Sequence, residues 1–154
     1  MRYSTPLLAT VVAALAISPA LAEQVYYGSR AGMTATVLSK TGIGTENAVI
    51  QVEHTPEDAK GFCVEYNLDN SMACVRRTLA EVKVEPTVYA NCKTMMWTDL
   101  GGERYAILGR RTSDTYADFD VRRISSGEIL DGSSASGYPT AMAMFNALCP
   151  GIAD

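Results

Sequence analysis

The sequence predicts an α+β domain: an antiparallel sheet with an inserted, disulfide-tied helical hairpin and a C-terminal helix. Three observations point there. Alternating apolar and polar positions, bounded by turn residues, occur before residue 55 and again after Pro86. Between them lie a helix-start signature and apolar residues at helical spacing. Four cysteines are placed so that two pairs can tie the helices down.

Taken in order, residues 33–54 read as a β-hairpin. "MTATVLS" is rich in β-branched residues, "KTGIGTEN" is turn material, and "AVIQVEH" alternates. "TPEDAKGFCVEY" then opens a helix with Thr55 as N-cap, Pro56 at the first helical position and Glu57 and Asp58 in the first turn. Ala59, Phe62, Cys63 and Tyr66 recur at i, i+3, i+4, i+7 and predict its inward face. "NLDNS" ends it, and Ser71 can cap a second helix with Met72, Val75, Leu79 and Val82 as the inward stripe. After Pro86, "TVYANCKTMMW" and "RYAILGR" read as strands around "TDLGGE", and "DFDVRRI" and "EILDG" as strands around "SSG". "PTAMAMFNAL" closes the domain as a helix whose Ala141, Met144, Phe145 and Leu148 form one apolar face. Tyr26 and Tyr27 open the domain, either as a first strand packing on the sheet, the preferred reading, or as a partner-binding lip.

The first 22 residues read as an export signal. Arg2 gives a positive start, Leu7 to Ile17 an apolar stretch, and Ala20-Leu21-Ala22 the small residues that signal peptidase requires. The apolar run is about half the ~20 residues needed to span a bilayer, so no transmembrane anchor is expected. Cleavage leaves Glu23 to Asp154 as a single domain in the periplasm or secreted beyond it. Loss of Arg2 takes the 13 basic residues to 12 against 17 acidic, a net charge of −5 with His54 neutral. That balance argues against nucleic acid as a partner.

An even cysteine count in an exported chain reads as two disulfides, and four cysteines allow three connectivities. The short interval between Cys63 and Cys74 favours pairing those two, which leaves Cys92 with Cys149. No C-x-x-C pair occurs and the single histidine, His54, stands far from ligand spacing to any cysteine, so no metal and no cofactor are expected.

The stretch "DGSSASGYP" is the main candidate site. It lacks the second glycine of G-x-S-x-G, the lysine of S-x-x-K, and the Lys and Thr of a phosphate-binding loop. Its glycines and serines suit a connector whose hydroxyls satisfy backbone groups before the helix. The same groups beside a helix N-terminus can hold an anion or a glycan hydroxyl, with Tyr138 as a stacking ring. His54 can be an acid/base or a local hydrogen-bonding residue, and the second is favoured. Asp114, Asp118 and Asp120 lack calcium-loop spacing and read as a solvated turn. No spacing selects a facing carboxylate pair of the kind glycoside hydrolysis needs. Arg76-Arg77, Arg110-Arg111 and Arg122-Arg123 could meet an anionic polymer or lipid headgroup, although adjacent strand residues point to opposite faces.

Three blocks, "YYGSRAGMTATV", "YANCKT" and "DGSSASGYPTAMAMF", resemble a group of small exported bacterial proteins of uncharacterised function. The resemblance spans most of the chain after the signal. It implies a bacterial, periplasmic setting and carries no activity, cofactor or catalytic residue.

The expectation is therefore a non-catalytic periplasmic or secreted binding domain for an envelope glycan, a lipid headgroup or a protein partner. Ser133, Ser134, Ser136 and Tyr138 are the expected contacts, with Arg110 and Arg122 as an outer rim. Two alternatives stay open: an inhibitor of a cell-wall or proteolytic enzyme that uses the same loop as a wedge, and a small hydrolase that uses His54.

Overall fold

Seven strands follow one another in an antiparallel meander, in the order β1 to β7. They are β1 (Gln24–Tyr26), β2 (Thr34–Thr41), β3 (Ala48–Glu53), β4 (Thr87–Asn91), β5 (Met96–Thr98), β6 (Arg104–Arg110) and β7 (Phe119–Arg123). Helices α1 (Pro56–Glu65) and α2 (Met72–Glu81) are inserted between β3 and β4, and α3 (Tyr138–Leu148) ends the chain. This is a computed structural model that describes residues 22–112 and 116–153; most of the expected export signal, and Asp114, lie outside the described residues.

The sheet curls around α3. Two β-bulges, at Val37/Ser39 and Ile107/Gly109, leave Leu38 and Leu108 unpaired and exposed and add local bend and twist. Inside the curl, Ile50, Val88, Trp97 and Val121 share the buried core with Ala141, Met144, Phe145 and Leu148 of α3. The Phe145 ring lies 4.8 Å from that of Trp97. Helix α3 meets β1, β3 and β4, and its Tyr138 hydroxyl accepts a hydrogen bond from the Phe119 N–H at 3.2 Å, so the same helix also reaches β7.

The α1–α2 hairpin packs on the other side of β1 and β2. Thr55 caps α1 in a reciprocal box with Asp58, and Ser71 caps α2 through the Cys74 N–H. The hairpin buries its own small cluster of Ala59, Cys63, Cys74 and Val75. The Cys63–Cys74 disulfide bolts the hairpin, and Cys92–Cys149 ties the end of α3 to the turn after β4.

Several local expectations change. Residues 87–97 are not one strand: Asn91 Oδ1 accepts hydrogen bonds from the Lys93 and Thr94 N–H groups, folding 92–95 into a turn between β4 and β5. "EILDG" is not a ladder strand but a single bridge, Ile129 to Arg122. Phe62 and Tyr66 stack on each other near the surface, rings 5.4 Å apart, instead of facing inward. In α2, Cys74, Val75 and Thr78 are buried while Met72 is 61% exposed. Asp58, read from the sequence only as a first-turn acid, is 1% exposed.

Asp58 is the polar hub of this half of the fold. Its Oδ1 accepts from Gln24 Nε2 of β1 at 2.7 Å, and its Oδ2 accepts from the Thr36 N–H of β2 at 3.1 Å. The Thr36 hydroxyl donates to it, and the Thr55 N–H and hydroxyl donate at 2.9 and 2.8 Å. A buried carboxylate survives only with such a shell, so α1 is locked to the first two strands by one side chain.

Candidate functional site

The serine loop is built from its own backbone. The Ser133 N–H donates to Asp131 Oδ1, and the Ser136 N–H donates to both the Ser133 carbonyl and its hydroxyl. The Ser136 hydroxyl donates to the Ser133 carbonyl at 2.7 Å and accepts from the Tyr138 N–H. Gly132 lets the loop start: at φ +91° a Cβ there would lie 2.8 Å from the Ala117 Cβ. Ser133 and Ser136 are thus engaged in holding the turn, as a connector requires. The Ser134 hydroxyl makes no such bond among the described residues and is exposed.

The loop nevertheless forms one wall of a cleft. The opposite wall is the β1–β2 connection, Tyr27 to Ala31, pressed against α1 at Gly32, where a Cβ would meet the Gly61 carbonyl carbon at 2.5 Å. One compartment of about 240 Å³ is lined by Tyr27, Ser29, Asp99, Tyr105, Arg123, Ser134 and Ser136, among others. A second, of about 350 Å³, runs on past Tyr26, Arg30, Pro139 and Ala143. Gly28, Ser29, Ser134 and Thr140 line both, so the two compartments of this groove adjoin at the N-terminal end of α3.

The floor of the first compartment is a hydrogen-bonded chain. The Tyr105 hydroxyl donates to Asp99 Oδ2 at 3.0 Å, while Asp99 Oδ1 accepts the Gly101 and Glu103 N–H groups at 2.9 and 3.0 Å. Burial holds the Asp99 carboxyl above its ordinary range although those donors pull it down. Burial and the neighbouring Asp99 push the Tyr105 phenol up to about 12. Arg123 donates to Glu128 Oε2 at 2.6 Å and to the Ser136 carbonyl at 3.2 Å, and its Nε lies 3.9 Å from Glu103 Oε2. Its positive charge is therefore largely balanced by two carboxylates. At the far end, the Arg30 guanidinium sits 4.8 Å over the Tyr66 ring.

The remaining candidate residues lie elsewhere. Tyr138 is 7% exposed and belongs to the core, so it offers no stacking ring. Arg110 pairs in register with inward-facing Phe119 and covers its ring at 5.0 Å. Arg122 pairs with Ala106 on the outer face, so these two arginines lie on opposite sides of the sheet and neither lines the groove. Arg123, one residue further along, does. His54 is half-buried behind the groove, its ring edge-on to Tyr27 at 5.2 Å, and it is not a lining residue. The His54 Nε2 and the Tyr27 hydroxyl are both buried without a hydrogen-bond partner among the described residues. Burial lowers the His54 pKa, against a smaller opposing pull from Asp58. Asp120 is engaged by the Arg111 Nε at 2.7 Å, and no three metal-ligating side chains lie together among the described residues.

No family model, curated protein or solved structure matches this chain. Asp99, Tyr105 and Arg123 carry no motif; only strand register brings them to the serine loop.

Proposed function

We propose that this chain is a non-catalytic, exported binding domain whose groove holds a hydroxyl-rich envelope component, a glycan. One observation carries the reading: the serine loop, the Tyr27–Ala31 connection and the Asp99–Tyr105–Arg123 chain face two adjoining compartments of about 240 and 350 Å³. The combined space falls within the ~300–1,000 Å³ typical of small-ligand sites.

The lining chemistry selects the ligand class. An anionic headgroup would need clustered positive charge, yet Arg123 is already paired with Glu128 and the Arg30 guanidinium lies over the Tyr66 ring at the far end. A sugar needs alternating donors and acceptors beside apolar patches, which Ser134, Thr140, Asp99, Tyr105 and the Pro139–Ala143 edge supply. Disulfides and preorganised loops limit the entropy lost on binding. The serine hydroxyls that hold the turn are not poised as nucleophiles, and none bonds to His54 among the described residues.

The test is calorimetric titration with muramyl and lipopolysaccharide-core oligosaccharides, using the parent and Ser134→Trp. Ser134 is exposed and lines both compartments, so the indole fills the groove without disturbing the core. Saccharide binding by the parent, lost in the variant at unchanged thermal unfolding, is the expected result. No saccharide binding, or equal binding by both proteins, would overturn the assignment.

A further inference from the structure

The face of the sheet opposite α3 is only partly covered. Over β1 and β2 it carries the α1–α2 hairpin, but from β3 to β6 it is open. There the register aligns Val49 with Tyr89, Met96 with Ala106, and Thr98 with Arg104, all on the outer side. All of these but the buried Ala106 border a shallow groove of about 320 Å³ in which Tyr89 is 55% and Met96 40% exposed. An exposed aromatic ring and an exposed thioether bordering one groove are the side chains that protein interfaces favour as anchors.

The charges at its two ends identify the occupant. Glu46, in the turn before β3, closes one corner, and Arg104, on β6, closes the diagonal corner. Three strand spacings of about 4.8 Å separate β3 from β6, so the two cannot pair within one chain. Neither makes an ion pair among the described residues. Arg122, next to Ala106 on the same face, adds positive charge on the Arg104 side. A partner must therefore present an apolar centre with the opposite polarity: basic over Glu46 and acidic over Arg104. A second copy of the same face does this. With a twofold axis lying in the interface and crossing the Glu46–Arg104 line at its midpoint, each Glu46 meets the other copy's Arg104. The Tyr89 and Met96 side chains then bury one another near the axis.

We propose that the outer face of β3–β6 joins two copies of this chain in an isologous dimer, with Tyr89 and Met96 at its centre and reciprocal Glu46–Arg104 contacts at its ends. With two exposed apolar side chains, Tyr89 and Met96, at its centre, the dimer is of the weak, concentration-dependent class. It is independent of the glycan reading, because none of its residues lines the α3 groove.

Sedimentation equilibrium of the disulfide-intact protein from about 1 μM to 1 mM, a span of roughly 4 kcal/mol in association energy, tests it. Glu46→Arg and Arg104→Glu are examined singly and together. Each single reversal places like charges together twice per dimer and should weaken association about tenfold or more. The double reversal restores complementarity within the pair and should return the dissociation constant to within about threefold of the parent. Tyr89→Asp should abolish the dimer with thermal unfolding unchanged. A parent that stays monomeric throughout, or single reversals without effect, would overturn the proposal. A double variant weaker than either single variant would also overturn it, in favour of a different partner with fixed charges.

Discussion

Replacing Asp58 with alanine should cost far more than an acid in the first turn of a helix normally contributes. The carboxylate accepts from five donors: the Gln24 amide, the Thr36 N–H and hydroxyl, and the Thr55 N–H and hydroxyl. Gln24 and both hydroxyls can reorient or rotate, but the Thr36 N–H is fixed in the β2 backbone beneath α1 and loses its acceptor. An unsatisfied buried donor costs about 1–3 kcal/mol, and loss of the Asp58 half of the capping box, which leaves the Thr55 N–H without its acceptor, adds about 1. With the lost packing of a side chain 1% exposed, the sum is about 3–5 kcal/mol. Asp58→Asn is the control. Its one oxygen can serve the Thr36 and Thr55 donors while its amide nitrogen faces a flipped Gln24, so about 1–2 kcal/mol should be lost. Urea unfolding with the disulfides intact measures both. A loss below about 1 kcal/mol for Asp58→Ala, the size expected of a solvated first-turn acid, would refute the hub.

The two disulfides should differ in the stability they confer. Cys92–Cys149 spans 57 residues and Cys63–Cys74 spans 11, so loop-closure entropy gives about 4 and about 3 kcal/mol respectively. Paired Cys→Ala variants compared by urea unfolding check the order, and a larger loss for Cys63/Cys74 would contradict it. His54 should make the fold acid-sensitive. Its folded pKa lies below the 6.5 of the unfolded chain, so its contribution is intact above 6.5 and is lost as pH falls towards the lowered value. Unfolding free energy measured from pH 7.5 to 5 should therefore fall less steeply for His54→Gln than for the parent; parallel slopes would contradict this.

What could be read ahead of the structure was what is local. The α1 start needs only Thr55, Pro56 and the acids that follow, and α3 is visible in the spacing of Ala141, Phe145 and Leu148. The disulfide pairing followed from the short Cys63–Cys74 interval within that helical hairpin. Asp58 was not legible as a buried residue, because its partners Thr36 and Gln24 stand 22 and 34 residues away. The β4–β5 turn was hidden because Asn91 breaks the run through a side-chain bond, in a segment otherwise rich in strand formers. Of the groove, the sequence pointed to Ser134 and Ser136, and to Arg123 only as one of a surface arginine pair, but not to Asp99 and Tyr105. Those join the loop only through pairings such as Tyr105 with Arg123, a register that no spacing announces. Tyr138 misled for a related reason: an aromatic ring at a helix start looks the same whether it faces solvent or, as here, caps the core beneath Phe119.

The most direct test of the central claim is amide chemical-shift mapping of the labelled protein during titration with a bound envelope oligosaccharide. Shifts confined to residues 26–31, 99, 105, 123, 134–137 and 140–143, with the outer face of β3–β6 silent, are the predicted result. Shifts centred on Tyr89 and Met96, or none near the serine loop at saturation, would contradict it.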